Sequence, residues 1–164
     1  MVNLYLVRHG QAKPKEQDPE RPLTEAGAEW ARRVFAFIGR ADVVSVAAIQ
    51  HSTKLRARQT AEIFAAAANL EAPLTQVPNL EPLDDVTELA EALSRATLDL
   101  MLVGHLPHLN RLASQLVAGD ANLEAFSFPE CGVLCLRRSE GAGEETGGAA
   151  WRVSWMLDPR LLAW

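Results

Sequence analysis

Cysteine is scarce: the chain has two, Cys131 and Cys135, in 164 residues. Read on one strand they stand about 13 Å apart. A disulfide needs Cα atoms within about 7 Å, so the pair reads as two small buried thiols of a reducing compartment. Positive charge is also in deficit. Sixteen Lys and Arg against 21 Asp and Glu leave a net charge of −5, which argues against nucleic acid or an anionic membrane as partner. No uncharged apolar run approaches the roughly 18 residues of a membrane span. Met1 to Leu6, cut short by Arg8, is too brief for a secretory segment. Glycine-rich phosphate loops of the Walker or dinucleotide type are missing. Metal-ligand sets are missing as well: Pro107 interrupts His105-Leu106-Pro107-His108, and no cysteine or carboxylate completes it. A single soluble, cytoplasmic domain over residues 1–164, with no metal and no cofactor, is the expectation.

What is present alternates between strand and helix. Apolar residues make up 48% and charged residues 23%, and a chain of this length buries well over half of its unfolded surface. Asn3–Val7, Val43–Ile49, Leu74–Val77 and Leu98–Val103 read as strands. Thr24 caps a helix carrying Trp30, Val34, Phe37 and Ile38 and closed by Gly39. Lys54–Asn69 is Ala-rich and helical, Asp85 with Glu88 forms a capping-box start, and Leu109, Leu112, Ala113 and Leu116 share a helix face after Pro107. Gly132–Leu136 and Trp151–Met156 form a closing antiparallel pair, joined by a Gly- and Glu-rich loop tip over Glu140–Ala150 that holds Glu144 and Glu145. Trp30, Phe35, Phe37, Trp151 and Trp155 are expected in the core. The pattern predicts a three-layer α/β/α sandwich around a mainly parallel sheet.

Two histidines stand at strand ends. His9 follows Leu6-Val7-Arg8, and His105 follows Val103-Gly104. Carboxyl ends of strands line the ligand crevice of an open α/β sheet. A third strand end leads through Ser52-Thr53-Lys54-Leu55 into Arg56, in the first turns of a helix whose N–H groups and dipole favour an anion. Arg8, Arg56 and Arg21 can surround a small anion beside both imidazoles. A cationic cluster in an acidic chain calls for a reason, and a phosphoryl group supplies one, since guanidinium binds its oxygens through paired charge-assisted hydrogen bonds. Singly, each has a bland alternative: Arg8 could pair with a carboxylate, and either histidine could be a surface or core residue. Three strand ends carrying compatible groups favour the joint reading. His51 reads as structural, and His108 as a helix-start residue at the surface or rim.

These segments resemble the histidine phosphatase superfamily, which shares its fold with cofactor-dependent phosphoglycerate mutases. Leu6-Val7-Arg8-His9-Gly10, Arg21-Pro22-Leu23-Thr24-Glu25-Ala26-Gly27, Ser52 to Thr60 and Val103-Gly104-His105-Leu106-Pro107 carry the resemblance, in that order. The chain is most similar to the small SixA-type phosphohistidine phosphatases, and Ala12 after Gln11 fits that type better than the Ser or Thr of mutase-like members. The resemblance implies a phosphoglycerate mutase-like fold and His9 as the nucleophile that becomes phosphorylated. It also implies Arg8, Arg56 and His105 on the phosphoryl oxygens, with Arg21 and Asp18 at the site entrance. The implied substrate is phosphohistidine on a partner protein. The alternatives are small phosphate monoesters, with Glu81 or Asp85 (or the adjoining Asp84) as general acid, and a non-catalytic phosphate-binding module. The joint presence of His9, His105, Arg8 and Arg56 argues against the last.

Overall fold

The computed structural model describes residues 1–139 and 151–162, so the expected loop tip at 140–150 lies outside the described residues. The strands are β1 (Val2–Arg8), β2 (Ala48–His51), β3 (Leu74–Gln76), β4 (Leu100–Gly104), β5 (Val133–Arg138) and β6 (Trp151–Leu157). The α-helices are α1 (Glu25–Ala41), α2 (Leu55–Ala67), α3 (Thr87–Ser94) and α4 (His108–Ala118). The strands form one sheet in the order β3-β2-β4-β1-β5-β6. β1, β2, β3 and β4 pair in parallel, and β5 is antiparallel to both neighbours, so β5 alone runs against the rest.

Strand periodicity divides the core into two. Leu4 and Leu6 of β1 join Leu102, Leu134 and Leu136 under α3 and α4, where Leu89, Leu93, Leu109, Leu112 and Leu116 pack on them. Tyr5 and Val7 point the other way, with Ile49, Met101 and Val103, against Val34, Phe35 and Ile38 of α1 and Ala57, Ala61 and Phe64 of α2. The expected three layers follow. A register shift between Cys135 and Leu136 lets β6 serve both cores: Trp151 packs on the α3/α4 side, while Trp155 and Leu157 pack on the α1/α2 side.

Some local expectations need correction. Gly39 does not close α1. The helix runs to Ala41, and Asp42, at φ 51°, caps it by donating its backbone N–H to the Gly39 carbonyl. Gly39 has a packing role instead: a Cβ there would meet the Ala68 Cα at 2.7 Å, so α1 and α2 cross where no side chain fits. Phe37 is 37% exposed rather than core, because its position on α1 falls beyond the buried stripe of Val34, Phe35 and Ile38. The second strand starts only at Ala48. The Asp85–Glu88 capping box does not form: α3 begins at Thr87, and Asp85 Oδ1 instead accepts the Thr87 N–H two residues on, at 2.8 Å. Cys131 precedes β5 rather than lying on it, at φ 61°, and both thiols are free and buried. Thr24 does cap α1, its Oγ1 accepting the Gly27 N–H at 2.8 Å.

Gly39→Ala separates propensity from packing. In an open helix this change stabilises by about 1 kcal/mol. Here the contact with α2 reverses the sign, and urea unfolding is expected to show a loss of about 1–3 kcal/mol. A gain in stability would mean that the α1–α2 approach is looser than described.

Candidate active site

Chain path places the crevice. From β1 the chain crosses through α1 to β2 on one side of β4, and from β4 it crosses through α4 to β5 on the other side of β1. Those two connections cover opposite faces, so the carboxyl ends of neighbouring β1 and β4 part at a topological switch point. His9 leaves one of these ends and His105 the other, with ring centroids 5.0 Å apart and planes at 55°. The backbone N–H of His9 donates to the Gly104 carbonyl at 3.0 Å, which ties the two strand ends together.

The His9 ring is oriented locally. Its Nδ1 lies 2.7 Å from the Gly10 carbonyl. A carbonyl only accepts, so Nδ1 carries the proton and Nε2 carries the lone pair. Gly10 is fixed in turn: its N–H donates to Thr60 Oγ1 at 3.0 Å, and that hydroxyl donates to the Arg56 carbonyl at 2.7 Å. The histidine loop and the arginine-bearing helix α2 are thereby joined through one buried threonine.

The cations converge with donors to spare. Arg8 donates Nη1 to the Phe128 carbonyl at 2.7 Å, while Nε of Arg8 and Nε of Arg56 are buried without a partner among the described residues. Arg21 stands at φ 48° in a turn, its N–H on the Asp18 carbonyl at 3.0 Å and its Nε on the Lys13 carbonyl at 3.1 Å. Asp18 therefore shapes the turn that carries Arg21, and its carboxylate accepts the Glu20 N–H. Burial pushes the His9 imidazole down to about 4; the Gly10 hydrogen bond opposes this, and Arg56, Arg8 and Arg21 add to it. His105 falls to about 3, first through burial and then through His9 and Arg56. Both rings are neutral at physiological pH.

The three acidic candidates are treated differently by the fold. Glu81 follows the 3₁₀ turn at Pro78–Leu80 and reaches across to the residues before α2, with Oε1 accepting from Thr53 N–H at 2.9 Å and Thr53 Oγ1 at 2.6 Å, and Oε2 3.6 Å from Lys54 Nζ. Asp84 closes the separate 81–84 turn, its carboxylate accepting the Glu81 N–H. Asp85 is exposed, and its hydrogen bonds with Thr87 hold its carboxyl below the usual range. His51 is buried beside its own strand end, with Nδ1 on the Ser52 carbonyl. His108 departs from expectation: it is fully buried, because the 78–86 segment, with Leu80 and Val86 in the α3/α4-side core, lies over the start of α4. In the sequence Ser52 and Thr60 stand out only as motif positions. Thr60 stands one helical turn after Arg56, and Ser52 directly follows β2, where polar residues face the crevice. Among the described residues no three His, Cys, Asp or Glu side chains gather into a metal set.

Similarity to known proteins extends over most of the chain. The sequence model of the histidine phosphatase superfamily (branch 1) matches residues 4–84. An uncharacterised protein of Picosynechococcus sp. (strain ATCC 27264 / PCC 7002 / PR-6) is 33% identical over 144 residues, 83% of this chain and 85% of its own. Among solved structures, the protein histidine phosphatase SixA complexed with tungstate superposes with a TM-score of 0.80 at 24% identity, over 98% of this chain and 99% of its own. A phosphoserine phosphatase from Entamoeba histolytica, in complex with 3-phosphoglyceric acid, superposes with a TM-score of 0.68 at 13% identity, over 96% and 98%. The chain belongs to the histidine phosphatase superfamily. Its fold is the phosphoglycerate mutase-like one shared with SixA.

Two outcomes follow from the geometry. Thr60→Val leaves the buried Gly10 N–H without an acceptor and is expected to cost about 1–3 kcal/mol, with Thr60→Ser restoring most of it. Equal stability of the valine and serine variants would show that the threonine brace is idle. Acid should also weaken the fold. Below about pH 6.5 the unfolded chain protonates histidines that the folded chain keeps neutral, so stability is full above that pH and is lost as the pH falls toward about 4. Scanning calorimetry is expected to show Tm lower at pH 5 than at pH 7.5, with a smaller difference in His105→Asn; an unchanged difference would contradict the burial of His105.

Proposed function

We propose that this chain, acting as one domain over residues 1–164, is a phosphohistidine phosphatase that works through a phosphohistidine formed on its own His9. The observation that carries the reading is the neutral His9 ring with Nδ1 tied to Gly10 and Nε2 left as the nucleophilic nitrogen, among the cations of Arg8, Arg21 and Arg56. Nε2 attacks phosphorus in line, the substrate's P–N bond breaks, and the partner's imidazole departs. A water then attacks the phosphorus of phospho-His9, and phosphate leaves as the His9 ring regains its lone pair. Charge spreads over three equatorial oxygens in such a transfer, and fixed donors stabilise it. Arg8 and Arg56, with their unpartnered Nε–H groups, are the proposed donors together with His105; Arg21 and the Asp18 turn frame the entrance.

The carboxylates support a P–N substrate over an ester. An alkoxide leaving group must receive a proton, and general acids contribute typically 10²–10⁴-fold, whereas a protonated imidazole departs with little help. Asp85 faces solvent and is held ionised by its own helix start. Glu81 is engaged as an acceptor by both Thr53 donors and lies beside Lys54. Between α2 and α3 the described chain offers only the three residues of β3 and a 3₁₀ turn at Pro78–Leu80, too little for a deep lid. That leaves room for a histidine borne on another protein.

Steady-state kinetics on one preparation can decide. The kcat/KM for a phosphohistidine protein is expected to exceed that for phosphoserine and sugar phosphates by about 10²-fold or more. Glu81→Gln should leave the phosphohistidine rate within a few-fold, and Arg56→Ala should reduce it on the order of 10²-fold. Faster ester hydrolysis that collapses in Glu81→Gln would replace this reading with that of a small-molecule phosphatase using Glu81 as acid.

A further inference from the structure

Ser52 is held where β2, β4 and α2 meet, fully buried, with its backbone N–H on the Val103 carbonyl at 3.2 Å. Its hydroxyl has two contacts: it accepts the Lys54 N–H at 3.2 Å, and it lies 2.5 Å from His105 Nε2. A hydroxyl owns one hydrogen. If His105 Nε2 were protonated, both contacts would be donors, and the Ser52 hydrogen would have no acceptor among the described residues. If the hydroxyl donates, every group is satisfied: Lys54 N–H gives to Oγ, and Oγ–H gives to Nε2.

We propose that Ser52 is a positioning residue that selects the tautomer of His105, holding Nε2 as acceptor so that Nδ1 carries the hydrogen and can donate to an oxygen of the transferring group. The position of His105 makes the choice consequential. The ring is neutral, so it has a single N–H to place. Its Nδ1 is buried and lacks a partner among the described residues, 5.0 Å (ring to ring) from His9. A buried polar atom without a partner beside a nucleophile is the mark of a group waiting for its ligand. With the opposite tautomer Nδ1 would present a lone pair, which repels an anionic oxygen. One hydroxyl hydrogen therefore decides whether His105 attracts or repels the group that it faces. His9 obtains the same Nδ1–H form by a different device, the Gly10 carbonyl. The two facing rings are thus set alike, one by a backbone acceptor on Nδ1 and the other by a side-chain donor on Nε2.

The kinetic consequence rests on the phosphatase reading above, whereas the tautomer is a property of the resting protein and can be read without substrate. Long-range ¹H–¹⁵N spectra of the imidazoles at neutral pH are expected to show His105 in the wild type with Nε2 unprotonated and Nδ1 protonated. In Ser52→Ala, His105 should move toward the Nε2–H form while His9 stays as it was. Ser52→Cys, which keeps a weaker donor at the same place, should be intermediate. With phosphohistidine protein as substrate, Ser52→Ala should lower kcat on the order of 10–10²-fold, change KM by less than about three-fold, and show partial recovery in the cysteine variant. Wild-type His105 with its hydrogen on Nε2 overturns the proposal even if Ser52→Ala fails to fold, as does an unchanged His105 tautomer in a folded Ser52→Ala. A tautomer that switches as expected in a protein inactive on every phosphorylated substrate keeps this inference and refutes the phosphatase reading instead.

Discussion

Gly10 is bound at both of its backbone polar atoms, its carbonyl facing His9 Nδ1 and its N–H held by Thr60, and the site depends on that double restraint. The first contact decides which ring nitrogen of His9 keeps a lone pair. The second fixes the loop against α2, tying His9 to Arg56 through Thr60. The position is also crowded, since a Cβ at Gly10 would come within 3.3 Å of the Cys131 Sγ and 3.4 Å of Leu23. Those neighbours belong to the α1/α2-side core and to the strap before α1. Tight packing beneath the loop thereby becomes orientation of an imidazole above it.

Around this restraint the fold gathers positive charge, and among the described residues no ion pair joins Arg8, Arg21 or Arg56 to a carboxylate. Burial first, and then Arg21, press the Arg56 guanidinium down from its usual value, and Glu81 opposes them. Buried donors on Arg8 and Arg56 and the Nδ1 of His105 lack partners among the described residues. Native interiors leave few polar groups unpaired. A tetrahedral oxyanion would satisfy these groups together, which is why the cluster reads as a phosphoryl site rather than as a structural ion-pair network.

Much of this was legible in the residues because two simple periods dominate. Alternation along Leu4-Tyr5-Leu6-Val7 assigns each side chain to one of two cores, and histidines at two strand ends must then lie on the same edge of a parallel sheet. The misreadings share a cause: they depend on what an element packs against. Gly39 has the composition of a helix stop, yet it is where α2 comes too close for a side chain. Phe37 has core chemistry but falls on the outer side of α1. His108 begins a helix, ordinarily an exposed place, and is covered by the 78–86 segment, from which α3 and β4 separate it in the chain. Ser52 shows only its place after a strand, since its meaning comes from a hydrogen bond to a residue 53 positions later.

The central claim is that a neutral His9 attacks through Nε2, the nitrogen left free by Gly10. The direct measurement is to mix the protein with phosphoramidate, quench in base within milliseconds, and assign the phosphorylated site by peptide mapping and ³¹P NMR. The account predicts phosphate on His9 alone, as the Nε2 isomer, formed and lost at rates that match turnover. Phosphate on Nδ1 of His9, phosphate on any other residue, or turnover with no phosphorylated protein would contradict it.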